Sequence, residues 1–312
     1  MEAIRIFAGS GGQQFAEAMC KDLDVPLSES RLQRFANDCL QVQLMENCRE
    51  RDVYLVQPVV APAQENLMEL LLMIDAARGA SARRVTAVMP HFAYARSDKK
   101  DAARISIGGR LVADMLLTAG ASRVLTMALH APQVHAFFRM PTDQLHALNE
   151  LAAHFRKYDL SNTTVVSPDL GNAKTATTFS RMLGTAVAAG AKERFEDNVV
   201  RISTLIGDVT GRDVIVLDDE IANGSTIVAI TDVLDRLGAK SIRVACTHGI
   251  FSSGALERVA DDPRISEVVT TDTVPHTLAF KHPKLTVISV APAFAEAVRR
   301  IHSGESVSAL FS

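Results

Sequence analysis

Val214-Ile-Val-Leu-Asp-Asp-Glu-Ile-Ala-Asn-Gly-Ser-Thr-Ile227 carries the reading of this chain. An apolar strand runs into paired carboxylates, a loop of small residues and then a helix. Ile227, Ile230, Val233, Leu234 and Leu237 recur at helical spacing, which places the backbone N–H groups of Gly224, Ser225 and Thr226 at a helix N-terminus. Unpaired donors and the positive end of the helix dipole together favour an anion there. Asp218 and Asp219, adjacent at the carboxyl end of a buried strand, repel each other unless hydroxyls or a metal ion engage them. A sugar phosphate offers both kinds of partner. The same shape also arises from plain turn and capping chemistry, in which Asp, Asn, Gly and Ser serve only the backbone. No Lys follows the glycine, so this is not a Walker loop.

Working outward, the strand-and-helix alternation recurs. Gly79-Ala-Ser-Ala-Arg-Arg-Val-Thr-Ala-Val-Met89, Gly120-Ala-Ser-Arg-Val-Leu-Thr-Met127 and Gly238-Ala-Lys-Ser-Ile-Arg-Val-Ala-Cys246 each read as a helix ending at Gly and turning into a strand. Apolar helical patterns precede all three, over 67–77, 111–118 and 227–237. Such repeats predict α/β architecture with parallel sheets covered by helices on both faces. A polar segment near Gln144–Asn149 separates the halves, and Thr163-Thr-Val-Val-Ser-Pro168 opens a second round. Two similar α/β domains are expected, from an internal duplication, with a short linker that favours a fixed interdomain cleft.

The 312 residues suffice for two domains of ordinary size, and 47% hydrophobic content supports a core in each. Net charge is −3 with a pI of about 6.3, and opposite charges are interspersed, which argues against a nucleic-acid or anionic-membrane surface. Small molecules and other subunits are the expected partners. Cys20, Cys39, Cys48 and Cys246 show no C-x-x-C spacing and read as free thiols. The first ten residues carry an early acid and a strand-like run rather than a signal-peptide core, and no long apolar run follows, so a cytoplasmic location is expected.

Other constellations bear on chemistry. Arg96-Ser-Asp-Lys-Lys-Asp-Ala-Ala-Arg104 holds four cations in nine residues beyond a strand. It reads either as a solvated charged loop or as a cationic flap that neutralises a polyphosphate. His130 closes the strand Leu125-Thr-Met-Ala-Leu, and Asp169 closes Val165-Val-Ser-Pro. Each alone is ordinary, yet a His and an Asp at strand ends of different domains can share a hydrated Mg²⁺ with phosphate oxygens. Lys192-Glu-Arg194 lies between an Ala/Val-rich strand and the strand Ile202–Ile206. It reads as a surface turn, or as mobile cations that stabilise charge on a transferring phosphoryl group.

Taken in order, these segments resemble class I ribose-phosphate diphosphokinases along nearly the whole chain. The resemblance is carried by Asn66-Leu-Met-Glu-Leu-Leu-Leu-Met-Ile-Asp75, Tyr94-Ala-Arg-Ser-Asp-Lys-Lys100, Leu129-His-Ala-Pro-Gln-Val-His-Ala-Phe-Phe138, Val166-Ser-Pro-Asp-Leu-Gly171, Thr247-His-Gly-Ile-Phe-Ser252 and Gly304-Glu-Ser-Val-Ser308. It implies two type I phosphoribosyltransferase-like domains, each a mainly parallel sheet flanked by helices, over 1–147 and 148–312, with the last helix free to pack back on the first domain. It further implies Mg²⁺-dependent transfer of diphosphate from ATP to the anomeric hydroxyl of ribose 5-phosphate, in a homo-oligomer of two to six subunits. By the same resemblance Phe35, Asn37, Arg96 and Ser97 would bind ATP, with Lys99, Lys100, Asp101 and Arg104 in the adjoining loop. His130 and Asp169 would hold Mg²⁺, and Lys192 and Arg194 would stabilise the transferring β-phosphoryl. Asp218, Asp219, Asn223, Gly224, Ser225 and Thr226 would form the ribose-phosphate site.

Several positions depart from the family pattern. Asp-Asp-x-x-Asp-Thr-Gly-Gly-Thr is the usual motif, whereas this chain has Ala222 in place of the third acid. Cys39 stands for a nucleotide-contacting Glu, Ser97 for a Gln, Ala128 for an Asp and Asn172 for a Gly. Pro132 and His135 alter a stretch tied to phosphate regulation. Two other readings stay open: a non-catalytic paralogue that modulates a true synthase, and a phosphoribosyltransferase or kinase with a different donor. The latter would need a base-binding hood, and no segment evidently supplies one.

Overall fold

Asp52-Val-Tyr-Leu-Val56 and Thr163-Thr-Val-Val-Ser167 are buried at every position, the pattern of strands covered on both faces. Each lies in a separate, mainly parallel sheet. The computed structural model describes residues 4–194 and 200–310, without the side chains at 192–194, 200–203 and 309. The chain divides into two units, 1–146 with 273–275 and 289–312, and 147–272 with 276–288.

In unit 1 the elements are β1 (Ile4–Ala8), α1 (Gln13–Leu23), β2 (Ser30–Arg34), β3 (Leu40–Leu44), β4 (Asp52–Val56), α2 (Ala63–Gly79), β5 (Arg84–Met89), α3 (Gly108–Ala119), β6 (Arg123–Met127) and β7 (Thr142–Leu145). The sheet runs β1-β4-β5-β6-β7, parallel throughout, and β2 and β3 form a separate antiparallel hairpin. Unit 2 comprises α4 (Leu148–Phe155), β8 (Thr163–Ser167), α5 (Ala173–Leu183), β9 (Ala186–Arg194), β10 (Val200–Ile206), β11 (Asp213–Ile221), α6 (Ser225–Arg236), β12 (Ser241–Gly249), α7 (Ala255–Ala260), β13 (Ile265–Thr271) and β14 (Leu285–Ile288). Its sheet runs β10-β9-β8-β11-β12-β13-β14, with only the β9–β10 pair antiparallel among the described strands. The succession strand, helix, two-stranded ribbon, strand, helix, strand, helix, strand occurs in both units.

The last helix, α8 (Ala291–Ser303), belongs to unit 1. It buries Phe294, Ala295, Ala297, Val298 and Ile301 on one face, and Phe294 meets Phe15 of α1 edge-on at 5.2 Å between ring centres. Burying one such ring stabilises by roughly 2–3 kcal/mol. At the other end of the helix, His302 Nδ1 hydrogen-bonds Asp52 Oδ2 at 2.7 Å. Asp52 is 2% exposed and also accepts from Arg84, through Nε at 2.7 Å and through Nη2.

Between β1 and α1 the loop Gly9-Ser-Gly-Gly12 closes on a carboxylate of its own unit. Glu69, 4% exposed on α2, accepts from the Ser10 N–H at 3.0 Å, the Ser10 hydroxyl at 2.6 Å and Gln57 Nε2 at 2.7 Å. The Gly11 N–H donates to Gln57 Oε1 at 3.0 Å. A Cβ on Gly12 would stand 2.1 Å from the Val56 carbonyl oxygen, so no side chain fits there.

Element boundaries differ from the sequence expectation at informative places. Gly120 and Gly238 take the left-handed backbone expected after their helices, with φ of +118° and +75°. Gly79 instead remains inside α2, and Ser81 carries the positive φ, at +65°. Gln144 lies in β7 rather than in a separating segment. Lys192-Glu-Arg194 forms the end of β9, paired with β10, and not a turn between strands. All four cysteines are free thiols, three of them buried and Cys39 exposed. Among the described residues no helix is long and apolar enough to cross a membrane.

Candidate active site

Strand β11 does not stop at its apolar run. It continues through Asp218, Asp219 and Glu220 to Ile221, because β12 pairs with it as far as Gly249. On its other side β8 pairs only up to Val216. The chain leaves β8 toward β9 and leaves β11 toward β12, in opposite directions across the sheet. That reversal opens a crevice at the carboxyl ends of β8 and β11, the usual place for ligands in open α/β sheets. Asp218 and Asp219 stand at its rim.

The small-residue loop follows. Gly224 is the N-cap of α6 with φ of +76°, and a Cβ there would fall 2.9 Å from Val259 Cγ2. Ser225 begins the helix, its N–H and hydroxyl both donating to Asn223 Oδ1, at 3.1 and 2.8 Å. The segment after β12 clamps the loop from behind: Phe251 N–H donates to the Ile221 carbonyl at 3.0 Å and Ser252 N–H to the Ala222 carbonyl at 2.9 Å. Arg258 adds a bond to the Asn223 carbonyl and one of 3.2 Å to that of Ser253.

Across the crevice, Asp169 lies in the loop after β8. Its carbonyl accepts from the Ser167 hydroxyl at 2.6 Å and its Oδ1 from the Asn172 N–H at 3.1 Å. The Asn172 amide nitrogen donates 3.0 Å to the Leu217 carbonyl, directly before Asp218. Burial, then the neighbouring Asp219 and Asp169, push the Asp218 carboxyl well above the ordinary range. These acids thus lie within electrostatic reach of one another. Among the described residues no group of His, Cys, Asp and Glu forms a ready-made metal cage. Mg²⁺ needs only one or two protein carboxylates beside its waters and substrate phosphates, and this repelling acid set fits such an ion.

Unit 1 holds the expected nucleotide-side residues and His130 in three places. The β2–β3 hairpin ends in Phe35-Ala-Asn-Asp-Cys39, with Phe35 43% exposed. Asn37 Oδ1 accepts from the Cys39 N–H at 3.3 Å, and Arg34 ties the tip to α2 through Asp38 and Glu65. The basic segment leaves a 3-10 turn at Ala93–Arg96 and reaches α3 through a loop in which Lys99, Lys100, Asp101 and Arg104 are exposed. Ser97 closes the stem of that loop, accepting from Gly108 N–H on its hydroxyl at 2.8 Å and from Gly109 N–H on its carbonyl at 3.0 Å. His130 is exposed three positions past β6. Ala128 before it is held at φ of +43°.

Within unit 2 the structure brings together Asp169, Asp218, Asp219, Asn223, Gly224, Ser225 and Thr226. His130 belongs to unit 1 and Asp169 to unit 2. The backbones of Lys192 and Arg194 lie in β9 opposite Ile202 and Val200, and their side chains lie outside the described residues. Asn172 was read only as a departure from the family pattern, and Ser252 and Arg258 were not legible as site residues, because each acts on a backbone carbonyl distant in sequence.

Comparison with known proteins gives a consistent answer over the full length. Residues 4–120 match the family described as the N-terminal domain of ribose phosphate pyrophosphokinase, and residues 201–312 the phosphoribosyl synthetase-associated domain. A Streptomyces coelicolor protein provisionally named a ribose-phosphate pyrophosphokinase is 65% identical over 100% of this chain and 98% of its own length. The ribose-phosphate pyrophosphokinase of Deinococcus radiodurans is 47% identical, covering 99% of this chain and 98% of the relative. The crystal structure of phosphoribosylpyrophosphate synthetase from Mycobacterium smegmatis superposes with a TM-score of 0.90 at 37% identity, over 96% of this chain and 99% of that one. A two-fold run of phosphoribosyltransferase-like units, both family models and relatives matched end to end place the chain in the ribose-phosphate pyrophosphokinase family.

Proposed function

We propose that this protein transfers diphosphate from ATP to the C1 hydroxyl of ribose 5-phosphate, giving AMP and phosphoribosyl diphosphate. The observation that carries the reading is the placement of Gly224, Ser225 and Thr226 at the start of α6, just beyond Asp218 and Asp219, in a chain matched end to end by this family. The 5-phosphate accepts from the backbone N–H groups and hydroxyls at the start of α6, where the helix dipole adds attraction. Asp218 and Asp219 accept from the ribose hydroxyls, which relieves their mutual repulsion.

Phe35 offers an apolar face to the adenine, with Asn37 and Arg96 beside it, and Lys99, Lys100 and Arg104 neutralise the polyphosphate, with Asp101 and Ser97 shaping that loop. The C1 oxygen attacks the β-phosphorus in line, its proton passes to solvent, and the bond between the β-phosphorus and the α,β-bridging oxygen breaks to release AMP. Positioning and cationic charge do most of this work, and Lys192 and Arg194 stabilise the β-phosphoryl oxygens in transit. His130 and Asp169 are the residues that would hold Mg²⁺, which when bound neutralises phosphate charge. The reading includes assembly of several copies and a cytoplasmic setting.

The test is direct. Purified protein with ribose 5-phosphate, ATP and Mg²⁺ should yield AMP in step with a C1-linked diphosphate seen by phosphorus NMR. Folded, assembled protein that forms no AMP would refute the reading and favour a different donor, or a regulatory role for which Ala222 and the exposed Cys39 argue.

A further inference from the structure

Asn172 is the N-cap of α5, yet its side chain does not cap the helix. An N-cap Asn normally turns its side-chain oxygen onto the first free helical N–H groups. Here the carboxamide reaches across the crevice, and Nδ2 donates to the carbonyl of Leu217, 45 positions away, at 3.0 Å. A carbonyl accepts and does not donate, so the contacting atom of Asn172 is its amino group. The backbone N–H of the same residue donates to Asp169 Oδ1 at 3.1 Å. One residue therefore grips both walls of the crevice. Its main chain fixes the Asp169 carboxylate, and its side chain fixes the peptide that presents Asp218.

The brace answers a physical need. Asp169 lies on one loop and Asp218 and Asp219 on a neighbouring strand, so their relative placement depends on a bond that crosses between the two. A carboxamide holds the walls without adding charge. A glycine at this position keeps the N–H bond to Asp169 and has nothing to offer Leu217.

We propose that Asn172 is a positioning residue for the sugar substrate, setting where the Asp218–Asp219 rim that engages the ribose hydroxyls stands relative to the Asp169 loop. This rests on the ribose-phosphate reading of the cradle. Removing a single neutral bond of this kind should weaken sugar binding by roughly three- to tenfold.

The experiment compares Asn172→Ala and the near-isosteric Asn172→Asp with the unaltered protein. Ribose 5-phosphate binding in the presence of Mg²⁺ is measured by calorimetry, and KM is measured separately for the sugar and for ATP. The expected result is weaker sugar binding and a higher sugar KM in Asn172→Ala, a larger loss in Asn172→Asp, and an ATP KM within about twofold of the parent. Unchanged sugar binding in both variants would overturn the proposal. So would equal rises in both KM values together with a lowered unfolding midpoint, which would mark the bond as serving the fold alone. An unaltered protein that fails to bind ribose 5-phosphate would overturn the cradle reading itself, and the role of Asn172 with it.

Discussion

His302 on the last helix hydrogen-bonds Asp52 at the start of a central strand, 2.7 Å apart and 250 positions distant in sequence. Arg84 completes the cluster and also donates to the carbonyl of Ile301 at 3.4 Å. Burial by itself would raise the Asp52 carboxyl. Hydrogen bonds from Arg84 and His302, with the Arg84 and His302 charges, outweigh burial and hold it below the ordinary carboxylate range.

A carboxyl depressed in the folded state contributes stability above its unfolded pKa, near 4, and that contribution is lost as pH falls through the folded value. Asp52→Asn should therefore destabilise unit 1 by about 3 kcal/mol at neutral pH, since Arg84 keeps a charge without its partner. The difference from the parent should shrink as pH drops below about 4. Denaturant unfolding between acid and neutral pH measures both, and a constant difference across that range would contradict the linkage.

Gly224→Ala should weaken the cradle. The backbone there sits at φ of +76° and the new methyl would meet Val259 at 2.9 Å. Strain of roughly 1–2 kcal/mol is expected for a side chain in this conformation, read as a lower unfolding midpoint. Ribose 5-phosphate affinity, followed by calorimetry, should fall alongside it.

Lys192→Ala should lower kcat by about 10²–10⁴-fold if its charge serves the transition state. Its unfolding midpoint should stay within about 2 °C of the parent, and both KM values should change little. Turnover at the parent rate would remove Lys192 from the mechanism.

Ala128 holds a left-handed backbone, φ +43°, without the side-chain hydrogen bonding that makes Asn tolerant of it. Ala128→Asn is expected to raise stability by about 0.5–1 kcal/mol. Calorimetric unfolding checks this, and a lower midpoint would show that the half-buried position cannot take the larger side chain.

What the sequence disclosed and what it withheld divide along the range of the interactions. The strand-loop-helix form at 214–237 was legible because its signal is local: Val214–Leu217 must be strand, Ile227–Leu237 must be helix, and the small residues must turn between them. Both parallel sheets followed from the repeated helix-turn-strand form. The extent of β11 was not legible, since Asp218 and Asp219 resemble a strand end until β12 is seen to pair beyond them. Gly79 was read as a helix terminator by residue type, whereas Ser81 makes the turn. Ser97 matched a nucleotide-binding motif, and its hydroxyl is engaged by Gly108. The bond from Asn172 to Leu217 depends on two strands meeting, which no local pattern encodes.

The carboxylate of Glu69 fills the loop after the first strand with an anion that the chain brings itself. In the second unit the corresponding loop, after β8, is tied instead to a strand, through the Asn172 amide on the Leu217 carbonyl. One architectural corner is thus latched to a helix in the first copy and to a sheet in the second, so shortening Glu69 should slacken the first corner and leave the second untouched.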